Sequence, residues 1–226
     1  MGHVCTVVLR WQPGRPTHLL ALRDELTTRD FDGPGEHWAE QPGVVGGRDR
    51  TAGGTWAASD VATGATALVL NRPQKRVAEP GSPSRGVLPL AALRYGVDWP
   101  AHVPVEGMAS FALVLVSPEA LVLWAFDGEG LTADPLGPGT HMVTSGGAED
   151  GKADRFLAAF GDGDWRAVLL EQVPEDDPRS LVVRHEKDGL VFATVFGQLI
   201  DAEPGRLHLE HSRTPWQADG WSAQDW

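Results

Sequence analysis

Paired apolar runs, each pair folded about a glycine or proline turn, constrain this chain more than any other feature. CTVVLRW (5–11) is a β-branched apolar run, QPGRP is a turn signal, and THLLALRD (17–24) is a second run. Together they predict a β-hairpin with a three- to five-residue loop. GTWAASD and ATALVLN predict a second hairpin across VATG, and FALVLVSPEALVLWAFDG predicts two strands about Ser117-Pro118. GTHMVTSGG reads as one more strand, and the segment from SLVVRHEK to RLHLEHS as three terminal strands. Helical signals are fewer: LPLAALRYG with Gly96 as its stop, DGKADRFLAAFG with Phe156, Leu157 and Phe160 on one face, and WRAVLLEQV. The polar stretches 27–54 and 73–86 read as long loops, and no regular structure is assigned after Ser212. Hairpins with segregated helices predict an α+β fold of antiparallel sheets. At 226 residues the chain is expected to form a single domain, with a core over 5–212 and a polar, tryptophan-containing tail over 213–226.

Composition narrows the function classes. A net charge of −12 argues against a general nucleic-acid binder, which needs a basic face. No apolar run approaches the length of a membrane span, and no secretory signal opens the chain. With one cysteine there is no intrachain disulfide, which fits a reducing, cytoplasmic setting. The expected partner is therefore a small-molecule ligand or substrate. Sixteen Arg against three Lys, with one Ile, one Tyr and one Asn, is the usage of a GC-rich bacterial coding sequence. Under that pressure the sole asparagine, Asn71, stands out.

The sole cysteine stands out too. Cys5 heads the first apolar run; buried cysteine is often only a small hydrophobe, but a cysteine at a mature N-terminus can be a nucleophile with its own α-amine as base. In a hairpin centred near Gly14, partners sum to about 28, so Cys5 faces Arg23, with Asp24 and Glu25 adjacent. That cluster is either a solvated strand end or a site in which Arg23 favours the thiolate and lowers the thiol pKa. Asn71 precedes Arg72-Pro73, where it serves either as a turn residue or as a donor.

Six motifs in order then carry a family resemblance. The cysteine-headed strand, LALRDEL, GGTWAAS, ALVLNRP, LGPGTHMVTSG and VFATVFGQLI resemble the NRDE family, also called transport and Golgi organization 2. The resemblance implies an αββα sandwich like that of N-terminal-nucleophile hydrolases, in which a first-residue cysteine attacks an amide carbonyl. It implies catalytic roles for Cys5 as nucleophile, Arg23 and Asp24 as thiolate stabiliser and amine or substrate orienter, and Asn71 as oxyanion or substrate donor. Glu25, Trp56 and Thr144 are the implied substrate-binding residues. The expected activity is a Cys-dependent amidohydrolase acting on a small amide or N-acyl substrate, without a cofactor. The alternative is a non-catalytic carrier of haem or of an acyl lipid or acyl-CoA, with tryptophans lining an apolar pocket and Cys5 or a histidine as axial ligand.

The chain departs from the family pattern at three places. Leu22 and Gly146 stand where the family has asparagine, which removes two polar groups. Cys5 is preceded by four residues. A Val codon can be GTG, so initiation at Val4 followed by removal of the initiator would expose Cys5; self-cleavage after Val4 is the other route. No metal is expected: His208 and Glu210 share one strand face with His211 on the other, too few ligands for a site.

Overall fold

The computed structural model describes residues 5–73, 78–146, 151–161 and 163–226. The expected start at Val4 lies outside the described residues, as does part of the 73–86 loop. The first half of the chain runs β1 (Thr6–Trp11), β2 (Thr17–Leu26), β3 (Phe31–Gly35), β4 (Val44–Asp49), β5 (Ala57–Asp60), β6 (Ala65–Asn71) and helix α1 (Leu88–Tyr95). Strands β7 (Phe111–Val116), β8 (Leu121–Phe126), β9 (Leu131–Pro135) and β10 (Gly139–Thr144) follow. Helices α2 (Lys152–Phe156) and α3 (Trp165–Leu170) lead into β11 (Arg184–Lys187), β12 (Leu190–Glu203), β13 (Arg206–Ser212) and β14 (Trp221–Asp225).

The strands form two antiparallel sheets. One is ordered β10-β1-β2-β12-β13-β14, with β11 also paired to β12; the other is ordered β3 through β9 in sequence. Along β1 and β2 the apolar residues do not alternate with polar ones because both faces are covered. Val7, Leu9, Leu19 and Ala21 turn inward onto Leu68, Leu70, Ala112 and Val114 of the second sheet. Their neighbours Val8, Leu20 and Leu22 turn outward onto Phe156, Phe160, Trp165 and Leu169 from the α2–α3 segment. On the far side of the second sheet, Leu88, Ala91 and Ala92 of α1 pack with Phe111, Leu113 and Trp124. Two sheets therefore pack face to face with short helices against their outer faces, an α+β sandwich.

The first hairpin has the expected register, Thr6 opposite Leu22 and Leu9 opposite Leu19, around a five-residue loop. The helix predicted over 88–95 stops at Gly96, whose φ of 60° suits glycine. Four expectations need correction. The stretch 27–54 contains β3 and β4, short strands whose few apolar residues (Phe31, Val44 and Val45) are buried but give no alternating pattern, with Arg48 and Arg50 both paired to Asp32. Strand β9, exposed along most of its length, was not signalled by apolar periodicity. The tail after Ser212 adds β14 at the edge of the first sheet, where backbone bonds to β13 need no hydrophobic pattern. The helix predicted over 150–161 is shortened to five α-helical residues followed by a 3-10 turn.

Candidate active site

The register of the first hairpin brings Cys5, just before β1, beside the end of β2. The Asp24 amide donates to Cys5 Sγ at 3.5 Å, the thiol donates back to the Asp24 carbonyl at 3.6 Å, and the Ser145 amide fixes the Cys5 carbonyl at 3.1 Å. The thiol borders a cavity of about 300 Å³ whose walls include Arg23, Asp24, Glu25, Trp56 and Asn71. The structure thus gathers six of the seven sequence-predicted residues. Thr144 stands apart: it is buried on β10 opposite Thr6 and does not line the cavity.

Arg23 is the cavity's central cation, and its position follows from strand alternation. It faces inward with Ala21, where its guanidinium lies 4.4 Å from the Trp56 ring centre and 5.0 Å from that of Phe31. Asp49 accepts from Arg23 Nη2 at 3.2 Å and from Arg29 Nε at 2.6 Å, while Glu25 lies 3.6 Å from Arg23. Burial opposes the charge on Asp49, but the bonds from Arg29 and the Ala52 amide outweigh it and hold its carboxyl below the usual range. Trp56 is fixed in turn by Gly47, because a Cβ there would sit 2.2 Å from the indole. Gly47→Ala is therefore expected to lower stability by about 1–3 kcal/mol by forcing the indole off Arg23. An unchanged denaturant midpoint in that variant would mean the ring moves freely and does not hold Arg23.

Asp24 takes the opposite face of β2, next to the helical layer. Its Oδ1 accepts from Thr194 Oγ1 at 2.6 Å, and its Oδ2 is buried without a partner. Lys152 is fully buried nearby and donates to Thr6 Oγ1 at 2.9 Å. Burial pushes the Asp24 carboxyl up to about 7, although Lys152 and the Thr194 bond favour its charged form. A β-bulge between Thr194 and Phe196 of β12 lies directly opposite Arg23 and Asp24 and lets Thr194 reach the carboxylate.

Arg23 favours the Cys5 thiolate as expected, but its effect is outweighed and the thiol ends above, not below, its ordinary value. Burial and then the Asp24 charge push the thiol up to about 12, and Arg23, turned toward Trp56 and Asp49, offsets only part of this. Asn71 closes β6 opposite Phe111, half-buried at the cavity wall, with its carboxamide in no hydrogen bond to a described residue. Leu22, in place of the family asparagine, is buried in the outward apolar cluster and packs there as a core residue.

The model of the family described as Transport and Golgi organisation 2 matches residues 4–150, more than half of the chain, and includes Cys5, the β2 strand end and Asn71. The chain belongs to that family. No curated protein matches it. Within the family frame, sequence reading missed Arg29, Asp49 and Arg85 at the cavity and Lys152 and Thr194 behind it. Arg29, Asp49 and Arg85 lie in segments that read as loop, and Lys152 lies in the predicted 150–161 helix off the face of Phe156, Leu157 and Phe160. Among the tryptophans, Trp99 and Trp124 are in the core under α1 and Trp165 is in the core beside α2, whereas Trp56 borders the Cys5 cavity. No three His, Cys, Asp or Glu among the described residues group as a metal site, and no helix among them is long and apolar enough to cross a membrane.

Proposed function

We propose that this chain is a Cys-dependent amidohydrolase of the N-terminal-nucleophile type, built on an αββα sandwich and acting on a small amide or N-acyl substrate. The observation that carries the reading is the convergence of Cys5, Arg23 and Asn71 on one small cavity, with Asp24 at the same strand end. Cys5, once it is the first residue, attacks the amide carbonyl through sulfur, and its α-amine takes the thiol proton. An unperturbed α-amine titrates near 7.7–8.0, which suits a base at neutral pH. Asn71 donates to the oxyanion of the tetrahedral intermediate from the cavity wall. The α-ammonium passes its proton to the leaving amine, and water then hydrolyses the thioester and restores the thiol. Asp24, whose Oδ2 lacks a donor, accepts from the α-ammonium.

A cavity of about 300 Å³ is at the small end for ligand sites, and its walls carry several charges. That favours a compact polar amide over haem or a long acyl chain. The test is a screen of N-acyl and amide substrates with the chain processed to begin at Cys5, beside its Cys5→Ala variant. Turnover confined to the thiol-bearing protein supports the reading. Equal turnover by the variant, or none by either protein across the screen, rejects it.

A further inference from the structure

The charges around the cavity pair off, and one is left over. Arg23 and Arg29 are matched by Glu25 and Asp49 in a compact cluster of ion pairs. Asp24, behind the thiol, has Lys152 as its facing cation. Arg85 lines the same cavity but among the described residues has no carboxylate within ion-pair distance, Glu25 favouring its charge only from farther away. Its one guanidinium bond runs from Nη1 to the Ser110 carbonyl at 2.8 Å, which leaves four N–H donors open. In a chain of net charge −12, a half-buried cation in no ion pair with a described residue, beside a candidate nucleophile, is conspicuous.

Arg85 is also held in place from several sides. It opens a short 3-10 turn whose preceding residue, Ser84, accepts from the Gly86 amide at 3.2 Å. The Gly86 carbonyl accepts from the Thr55 amide at 2.9 Å, and the segments touch so closely that a Cβ on Gly54 would lie 2.4 Å from that carbonyl. The Ser110 bond ties the guanidinium itself to the residue before β7. A guanidinium fixed on three segments and left with open donors is organised for a ligand rather than for solvent.

We propose that Arg85 anchors a carboxylate carried by the substrate, which makes amide-linked carboxylates of the N-acyl amino acid kind the substrate class of this site. The planar fork of arginine matches a carboxylate with two parallel hydrogen bonds. A monoanion fits better than a phosphate dianion, because Glu25 and Asp49 also face the cavity and repel the extra charge. The proposal names the substrate of the hydrolase reading and rests on it for the word substrate, but its test reads binding alone.

Calorimetric titration of the whole chain with matched pairs, N-benzoylglycine against N-benzoylglycinamide and the same pair built on alanine and glutamate, measures the preference directly. The carboxylate members are expected to bind about tenfold or more tightly than their amides. Arg85→Gln, which keeps a donor for Ser110, is expected to remove that preference, and Arg85→Lys to keep part of it. Because Cys5 and Arg85 lie within electrostatic reach of one another, the pH profile of Cys5 alkylation is expected to move at most slightly upward in Arg85→Gln. Equal binding or no binding of both members in every pair overturns the proposal, and so does a preference that survives Arg85→Gln. An alkylation profile that moves further than this in Arg85→Gln while the preference stays assigns Arg85 to the thiol and also overturns it. Carboxylate preference without turnover would retain Arg85 as an anchor and remove the hydrolase; turnover without preference would do the reverse.

Discussion

A chain that begins at Cys5 is expected to hydrolyse its amide substrate on the order of 10²–10⁴ times faster than the chain that begins at Met1. That range is what a positioned general base supplies, and the lone pair of an acylated Cys5 nitrogen in the longer chain is delocalised into the peptide carbonyl and not basic. Thiol chemistry provides an independent readout. With Cys5 inside the chain, burial and the Asp24 charge hold its thiol at about 12, so little thiolate exists at neutral pH. An α-ammonium next to the thiol counters the Asp24 charge and supplies a donor for the unpartnered Asp24 Oδ2. Because burial remains, a full return of the thiol to its ordinary value of 9.0, which raises the thiolate population about a thousandfold, is the upper bound. Lower intrinsic nucleophilicity of the less basic sulfur offsets roughly half of that on a logarithmic scale, leaving at most about 30-fold in alkylation rate. Iodoacetamide kinetics at pH 7.5 on the two chains, with intact mass identifying the first residue, make the comparison. Equal rates would mean that the amine neither activates the thiol nor relieves Asp24.

The parts of this site that were legible in the sequence are those set by period-two geometry. Once the turn at Gly14 is fixed, pairing places Thr6 opposite Leu22 and so Cys5 beside Arg23, with no tertiary information needed. Asn71 was legible because a sole asparagine at a strand end is conspicuous. What stayed hidden depends on backbone and on the third dimension. Asp49 closes β4, a strand whose VVGGRD sequence has no alternation to detect. Lys152 reads as the polar face of an amphipathic helix, yet α2 turns it inward to Thr6, where it is fully buried. Arg85 sits in a Ser/Pro/Gly loop, and only the contact with Gly54 reveals that the loop is pinned at the cavity. The thiol pKa illustrates the same limit: adjacency to Arg23 was correct, but the guanidinium is committed to Trp56 and Asp49, so burial decides the outcome.

Asp24→Asn is expected to separate stability from activity. The Asp24 carboxyl is raised to about 7 in the folded chain from an ordinary 3.8, so between those values the folded state binds the extra proton. Its contribution to stability is therefore complete below about pH 4, falls as the pH rises toward 7, and is flat above that. The loss is on the order of a few kcal/mol, because a shift of one pKa unit corresponds to about 1.4 kcal/mol. Asparagine keeps the acceptor for Thr194 Oγ1 and removes the charge. The variant should match the parent near pH 4 and be the more stable of the two at pH 8. The difference between the two denaturant curves isolates this residue from the chain's many other carboxylates. Activity should move the other way: without a carboxylate to take the α-ammonium, kcat is expected to fall about 100-fold or more, while carboxylate binding at Arg85 is unaffected. Stability curves that stay parallel from pH 4 to 8 would mean that Lys152 keeps Asp24 charged throughout. In that case the buried pair serves the fold, and the acceptor for the Cys5 amine must be sought elsewhere in the cavity.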